Sequence, residues 1–77
     1  MKKNAASAVT EFNLEGEFVE LNQLLKLVGL CDSGGAGKMM VAEGHVKVDV
    51  KQELRKTAKI RAGQLVQVGT MKIKVVG

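Results

Sequence analysis

From Leu21 to Val28 the apolar residues fall at Leu21, Leu24, Leu25 and Val28, the i, i+3, i+4, i+7 spacing of one helix face. Asn22, Gln23 and Lys26 take the other side. The spacing predicts a helix over 20–28, stopped by Gly29, with Leu30 placed for the apolar contact that accompanies such a stop. A second helix is predicted over 33–43. Asp32 or Ser33 caps it, because a short side-chain oxygen accepts from the unpaired N–H groups of the first turn. Gly44 ends it in a left-handed conformation, just past Ala42. So short a connection forces the two helices into contact. Ala36 and Met40, with Met39 as a further candidate, are expected to face the first helix, and the paired methionines read as core. Gly37 lets the axes approach, and Lys38 points away.

Elsewhere the period is two. A strand is expected over 45–50 with Val46, Val48 and Val50 inward, and another over 10–14 with Phe12 and Leu14 inward. Glu15-Gly16-Glu17 reads as a turn, after which Phe18 and Val19 lead into the first helix; both phenylalanines are expected to be buried. Residues 51–59 are charged, with only Leu54 clearly apolar, and read as an irregular or edge segment. Residues 61–64 turn into a hairpin, Leu65–Val68 and Met71–Val75, joined by Gly69-Thr70 in a type II′ turn. Met71, Ile73 and Val75 share one face of its second strand, Lys72 and Lys74 the other. The expected fold is α+β, two short packed helices followed by a small, mostly antiparallel β-sheet. Residues 1–8 are expected to form a disordered tail, and 9–77 a single domain.

Seventy-seven residues bury only a modest core. The lone cysteine, Cys31, has no internal partner, which favours a reducing cytoplasm. No apolar run is long enough to span a membrane, and the N-terminus lacks a signal-peptide core. A cytoplasmic monomer is expected. Charge is unevenly spread. Residues 1–25 hold two lysines against four glutamates, whereas from Ser33 onward nine basic residues face three acidic ones. A polyanion is the natural partner of that basic half.

Catalysis has little to work with. His45 and Cys31 are the only histidine and cysteine, and nothing in the sequence brings them together. A zinc site needs about four such ligands. No cofactor, metal or small-molecule substrate is expected. Gly34-Gly35-Ala36-Gly37-Lys38 is similar to a phosphate-binding loop only in part, since Asp32 stands where the first glycine belongs and Met39 where Ser or Thr belongs. What survives is a helix N-terminus and a nearby lysine able to hold one backbone phosphate. Glycines serving only tight helix packing remain the structural alternative. With both aromatics expected inside, stacking platforms for single strands are missing, and contacts should go to phosphate and ribose of structured RNA. The second helix is too short, glycine-rich and apolar for a major-groove reader of DNA.

From Leu21 to Val68 the chain resembles the alpha-L RNA-binding domain family, named after the fourth protein of the small ribosomal subunit. The residues that carry the resemblance are Leu21-Asn22-Gln23-Leu24-Leu25, Val28-Gly29-Leu30, Ser33, Glu43-Gly44-His45-Val46-Lys47-Val48-Asp49 and Ala62-Gly63-Gln64. Residues 33–38 and Glu53-Leu54-Arg55-Lys56 are nearer still to small stand-alone bacterial members of the YbcJ kind. The resemblance implies RNA binding without catalysis, with ribosomal or transfer RNA, or a ribonucleoprotein, as the setting. It nominates Ser33, Gly34, Gly35 and Lys38 at the second helix, Lys26 on the first, Lys47 on the strand, and Arg55, Lys56 and Lys59 in the basic loop.

Three positions depart from the family pattern. Glu20-Leu21-Asn22 replaces an Arg-Leu-Asp opening, and Ser33-Gly34 replaces Ser-Arg, so two customary basic contacts are absent. Val50 replaces a turn glycine. A β-branched residue held left-handed there is strained by roughly 1–2 kcal/mol, so the expectation is that the turn has shifted. The alternative function is a protein-interaction or ribosome-assembly adaptor without direct RNA contact.

Overall fold

The computed structural model describes residues 9–77; the tail expected over 1–8 lies outside them. Two strands come first, β1 (Val9–Asn13) and β2 (Val19–Glu20), then the helices α1 (Leu21–Leu27) and α2 (Gly34–Ala42). Five strands follow: β3 (Val46–Val48), β4 (Lys51–Gln52), β5 (Lys59–Ile60), β6 (Leu65–Val68) and β7 (Met71–Val76). The main sheet runs β1-β7-β6-β3-β4, and β2 pairs with β5 in a separate two-stranded sheet. The expected α+β class holds. The sheet is mixed, however, because β1 lies parallel to β7, from Val9 opposite Lys72 to Asn13 opposite Val76.

Each helix is short and firmly terminated. Ser33, not Asp32, caps α2, its Oγ accepting from the Ala36 N–H at 3.1 Å. Both helices end alike. Gly29 at φ +84 and Gly44 at φ +83 are left-handed. The Leu30 N–H donates to the Leu25 carbonyl and the His45 N–H to the Met40 carbonyl, with the shorter glycine bonds to Lys26 and Val41 beside them. These are Schellman motifs, and they satisfy carbonyls that the helix leaves open.

Leu21, Leu24 and Leu25 of α1 and Val41 of α2 form one buried cluster with Val46, Ala58, Ile60, Val66, Ile73 and Val75. The helices therefore cover one face of the sheet. The other face carries Lys47, Gln67 and Lys72 side by side, since Lys47 pairs with Gln67 and Gln67 with Lys72.

Four side chains stand where the pattern did not put them. Asn22, expected outside, is 2% exposed, because α2 packs over it. Met39 is exposed while Met40 packs on the core, so the methionine pair is split between surface and interior. Phe18, expected to be buried, is 38% exposed, because β2 turns Val19 inward and leaves its neighbour out. Val50, expected inward or in a shifted turn, is 74% exposed at the tip of the β3–β4 hairpin. The turn has not shifted. Val48 pairs with Lys51, and the two residues between them, Asp49 at φ +50 and Val50 at φ +77, have the positive φ values of a type I′ turn.

Candidate nucleic-acid interface

The first turn of α1 is the junction where the 55–59 loop and the start of α2 meet. On one side the 55–59 loop docks: the Leu21 N–H donates to the Ala58 carbonyl at 2.8 Å, and the Asn22 N–H to the Lys56 carbonyl at 3.2 Å. On the other side α2 begins. A Cβ built on Gly34 would stand 3.1 Å from Gln23 Nε2 and 3.4 Å from Asn22 Nδ2. Gly34, at the start of α2, and the backbone of Lys56 and Ala58 thus both rest on Leu21, Asn22 and Gln23. Lys26 is exposed one turn further along α1. The side-chain oxygen Asn22 Oδ1 is buried with no hydrogen-bond partner among the described residues.

The glycines divide by use. Gly37 is where α2 meets the α1 backbone, since a Cβ there would lie 2.6 Å from the Asn22 carbonyl oxygen. Gly35 is exposed, and its Cβ would meet only Ser33 Oγ, at 3.8 Å. Packing thus accounts for Gly37 but not for Gly35.

The basic residues are not equivalent. Arg55 is held by Glu53: Nε donates to Oε2 at 3.0 Å, Nη2 to Oε1 at 3.1 Å, and the Arg55 N–H to Oε2 at 2.9 Å. These bonds push the Glu53 carboxyl below its ordinary pKa and raise that of Arg55. Lys26, Lys38, Lys56 and Lys59 are exposed and form no salt bridge among the described residues. An open cleft of about 460 Å³ lies along the loop, lined by Arg55, Thr57, Ala58 and Lys59.

Lys47 is the nominated residue that the fold separates from the rest. Val46 and Val48 turn toward the helices, so Lys47 points to the far face of the sheet. There it stands with Lys72 and, two residues along β7, Lys74. The Met71–Val75 alternation had signalled these lysines, but nothing in the sequence joined them to Lys47.

The two groups weighed for chemistry stay apart in character. His45 Nε2 lies 3.3 Å from Glu43 Oε1 at the surface. Cys31 packs against the core, and burial, with the nearby Asp32 charge second, raises its thiol pKa. Among the described residues no group of three or more His, Cys, Asp or Glu is placed to hold a metal ion, and no helix is long and apolar enough to cross a membrane.

The S4 domain family model matches residues 12–76, which takes in every element from β2 to β7. YbcJ of Escherichia coli (strain K12) is 50% identical over 58 residues, covering 75% of this chain and 83% of that protein. YbcJ of Shigella flexneri matches to the same extent. The solution structure of the E. coli protein superposes with a TM-score of 0.69 at 39% identity, over 100% of this chain and 96% of that one. That structure is described as revealing an alpha-L motif involved in RNA binding.

Proposed function

The chain belongs to the S4 domain family, and from that premise we propose that it is a cytoplasmic RNA-binding protein that grips structured RNA by its phosphates. It acts as one unit over residues 9–77, as a monomer, with no catalytic step, cofactor or metal. Ribosomal or transfer RNA, alone or within a ribonucleoprotein, is its substrate class. One observation carries the reading: Lys26, Lys38, Lys56 and Lys59, on α1, α2 and the 55–59 loop, are exposed and form no salt bridge among the described residues, and α2 opens on a Ser33 cap with an exposed glycine, Gly35. Lysines without carboxylate partners are available to displace the counterions of a nucleic acid, and backbone N–H groups at a helix start favour an anion.

Lys26, Ser33, Gly34, Gly35, Lys38, Lys56 and Lys59 form the proposed surface, with Arg55 at its margin because Glu53 already occupies its guanidinium. Lys47, on the far face of the sheet, lies outside it.

A salt titration of binding to a folded RNA hairpin tests this. Each phosphate contact contributes about −0.7 to −0.9 to the slope of log K against log salt. Lys38→Ala and Lys56→Ala are each expected to lower affinity and to flatten that slope by about one contact. Lys47→Ala is expected to change neither. A slope near zero, or no binding at low salt, overturns the proposal in favour of a protein partner.

A further inference from the structure

The two-stranded sheet has an outer face that the reading above does not use. In the β2–β5 pair, Val19 sits opposite Ile60 and Glu20 opposite Lys59. Ile60 is buried and Val19 packs on the core, so the alternation turns Glu20 and Lys59 outward, together with Phe18 before β2 and Arg61 after β5. On this face Lys59 Nζ stands 5.0 Å from the centroid of the Phe18 ring and Arg61 Cζ 5.7 Å from it. Arg61 is held in place, its Nη1 donating to the Glu17 carbonyl at 3.4 Å and its backbone N–H to Gln64 Oε1 at 2.7 Å. Glu20 shares the face. Even so, neither Lys59 nor Arg61 has a carboxylate within 4.0 Å among the described residues.

An aromatic ring at the surface, with two cations over it that have no carboxylate partner among the described residues, combines the two elements that single-stranded nucleic acid uses. Bases stack on the ring, and the adjoining phosphates meet the cations. The face is continuous with the proposed RNA surface, because Lys59 closes the 55–59 loop and also opens β5. We propose that Phe18 stacks an unpaired base of the bound RNA while Lys59 and Arg61 take the phosphates on either side of it. This rests on the RNA-binding reading and adds a preference to it. A paired base has both faces covered by its neighbours in the stack, so the site selects a bulge, a loop or an end over a continuous helix.

The test compares two RNA hairpins, one with a fully paired stem and a closed, rigid loop, the other with one adenine bulged from the same stem. The intact protein is expected to bind the bulged hairpin about ten-fold more tightly, in the range that one stacked base contributes. Phe18→Leu keeps an apolar side chain at a surface position but removes the ring. It is expected to bring the two affinities within about two-fold, leaving paired-stem binding unchanged. The chain contains no tryptophan or tyrosine, so Phe18→Trp supplies a sole indole whose emission the bulged hairpin should quench and the paired one should not. Equal affinity of the unaltered protein for both hairpins, or a bulge preference that survives in Phe18→Leu, overturns the stacking assignment and leaves this face to a protein partner. In that case the salt slope still supports RNA binding. Binding of neither hairpin at low salt overturns the RNA reading together with the stacking that depends on it.

Discussion

The carbonyl oxygen of Asn22 lies 2.6 Å from the point where Gly37 would carry a Cβ, and the Asn22 Cα and carbonyl carbon are within 3.3 Å of it. The partner atoms are all main chain, so a methyl group there cannot be accommodated by turning a side chain aside. The helices must separate. Their separation would disturb the junction at which α2 and the 55–59 loop both rest on α1.

Gly37→Ala is therefore expected to destabilise by about 1–3 kcal/mol, the range of overpacked positions. At roughly 4–8 °C per kcal/mol in a domain of this size, thermal melting shows it clearly. Gly35→Ala, two residues away with open space, is the control and should melt no lower than the parent. Equal losses in the two variants would count against the close approach at Gly37 as the cause, since alanine's higher helix propensity acts in favour of both variants.

Val50→Gly is expected to raise the melting temperature. A valine at φ +77 bears the left-handed penalty of roughly 1–2 kcal/mol, and glycine returns part of that as backbone entropy, about 0.5–1 kcal/mol. A net gain of a few degrees is the expected reading. Aspartate followed by glycine, the pair this substitution creates after Val48, is also a favoured type I′ sequence. A fall in melting temperature would show that the exposed valine makes contacts its position does not suggest.

Asp49 makes stability depend on acid. Its Oδ1 accepts from the Leu65 N–H at 3.0 Å and its Oδ2 from Gln64 Nε2 at 3.2 Å. The Leu65 bond first, and the Gln64 bond second, hold the carboxyl below its ordinary 3.8. The folded protein thus binds the proton less readily than the unfolded chain. The contribution is complete above the ordinary value and is lost as pH falls through the lowered folded one. Melting temperature should drop between about pH 5 and pH 2, and Asp49→Asn, which keeps an acceptor and tolerates a left-handed turn, should drop less over the same interval. Parallel curves for the two proteins would count against this role.

Ser33→Ala removes the acceptor for the Ala36 N–H and is expected to lower stability by about 1 kcal/mol. Asp32→Ala, which takes no capping bond, should be near neutral. Circular dichroism melts of the pair separate them.

The helices, their glycine stops and the β6–β7 hairpin were legible because each is written in neighbouring residues. Leu21, Leu24 and Leu25 mark a face, and Gly29 and Gly44 sit just past the last apolar positions. The sites that escaped prediction depend on partners far along the chain. Asn22 looks like a surface residue until α2 covers it. Phe18 looks like core until β5, some forty residues later, takes its neighbour Val19 inward. Alternation tells which face a residue takes but not which strand lies beside it or in what direction, so neither the β2–β5 pair nor the parallel β1–β7 pair was readable. The same gap grouped Lys47 with lysines that lie across the sheet. Val50 was misplaced for another reason: its type argued against a left-handed turn, and the hairpin imposed one.

The parallel pairing of β1 with β7 also sets an order of events during synthesis. Val9 is made early and its partner Lys72 some sixty residues later, so the row of N–H and C=O groups along β1 that this pairing will satisfy has no mate until nearly all of the described chain has left the ribosome. The helical pair and the β3–β6 and β6–β7 ladders close over much shorter loops and are able to assemble first. The first of the described strands to emerge is thus the one that completes the sheet, and a chain cut before Met71 would leave it waiting as an open edge for another molecule to pair with.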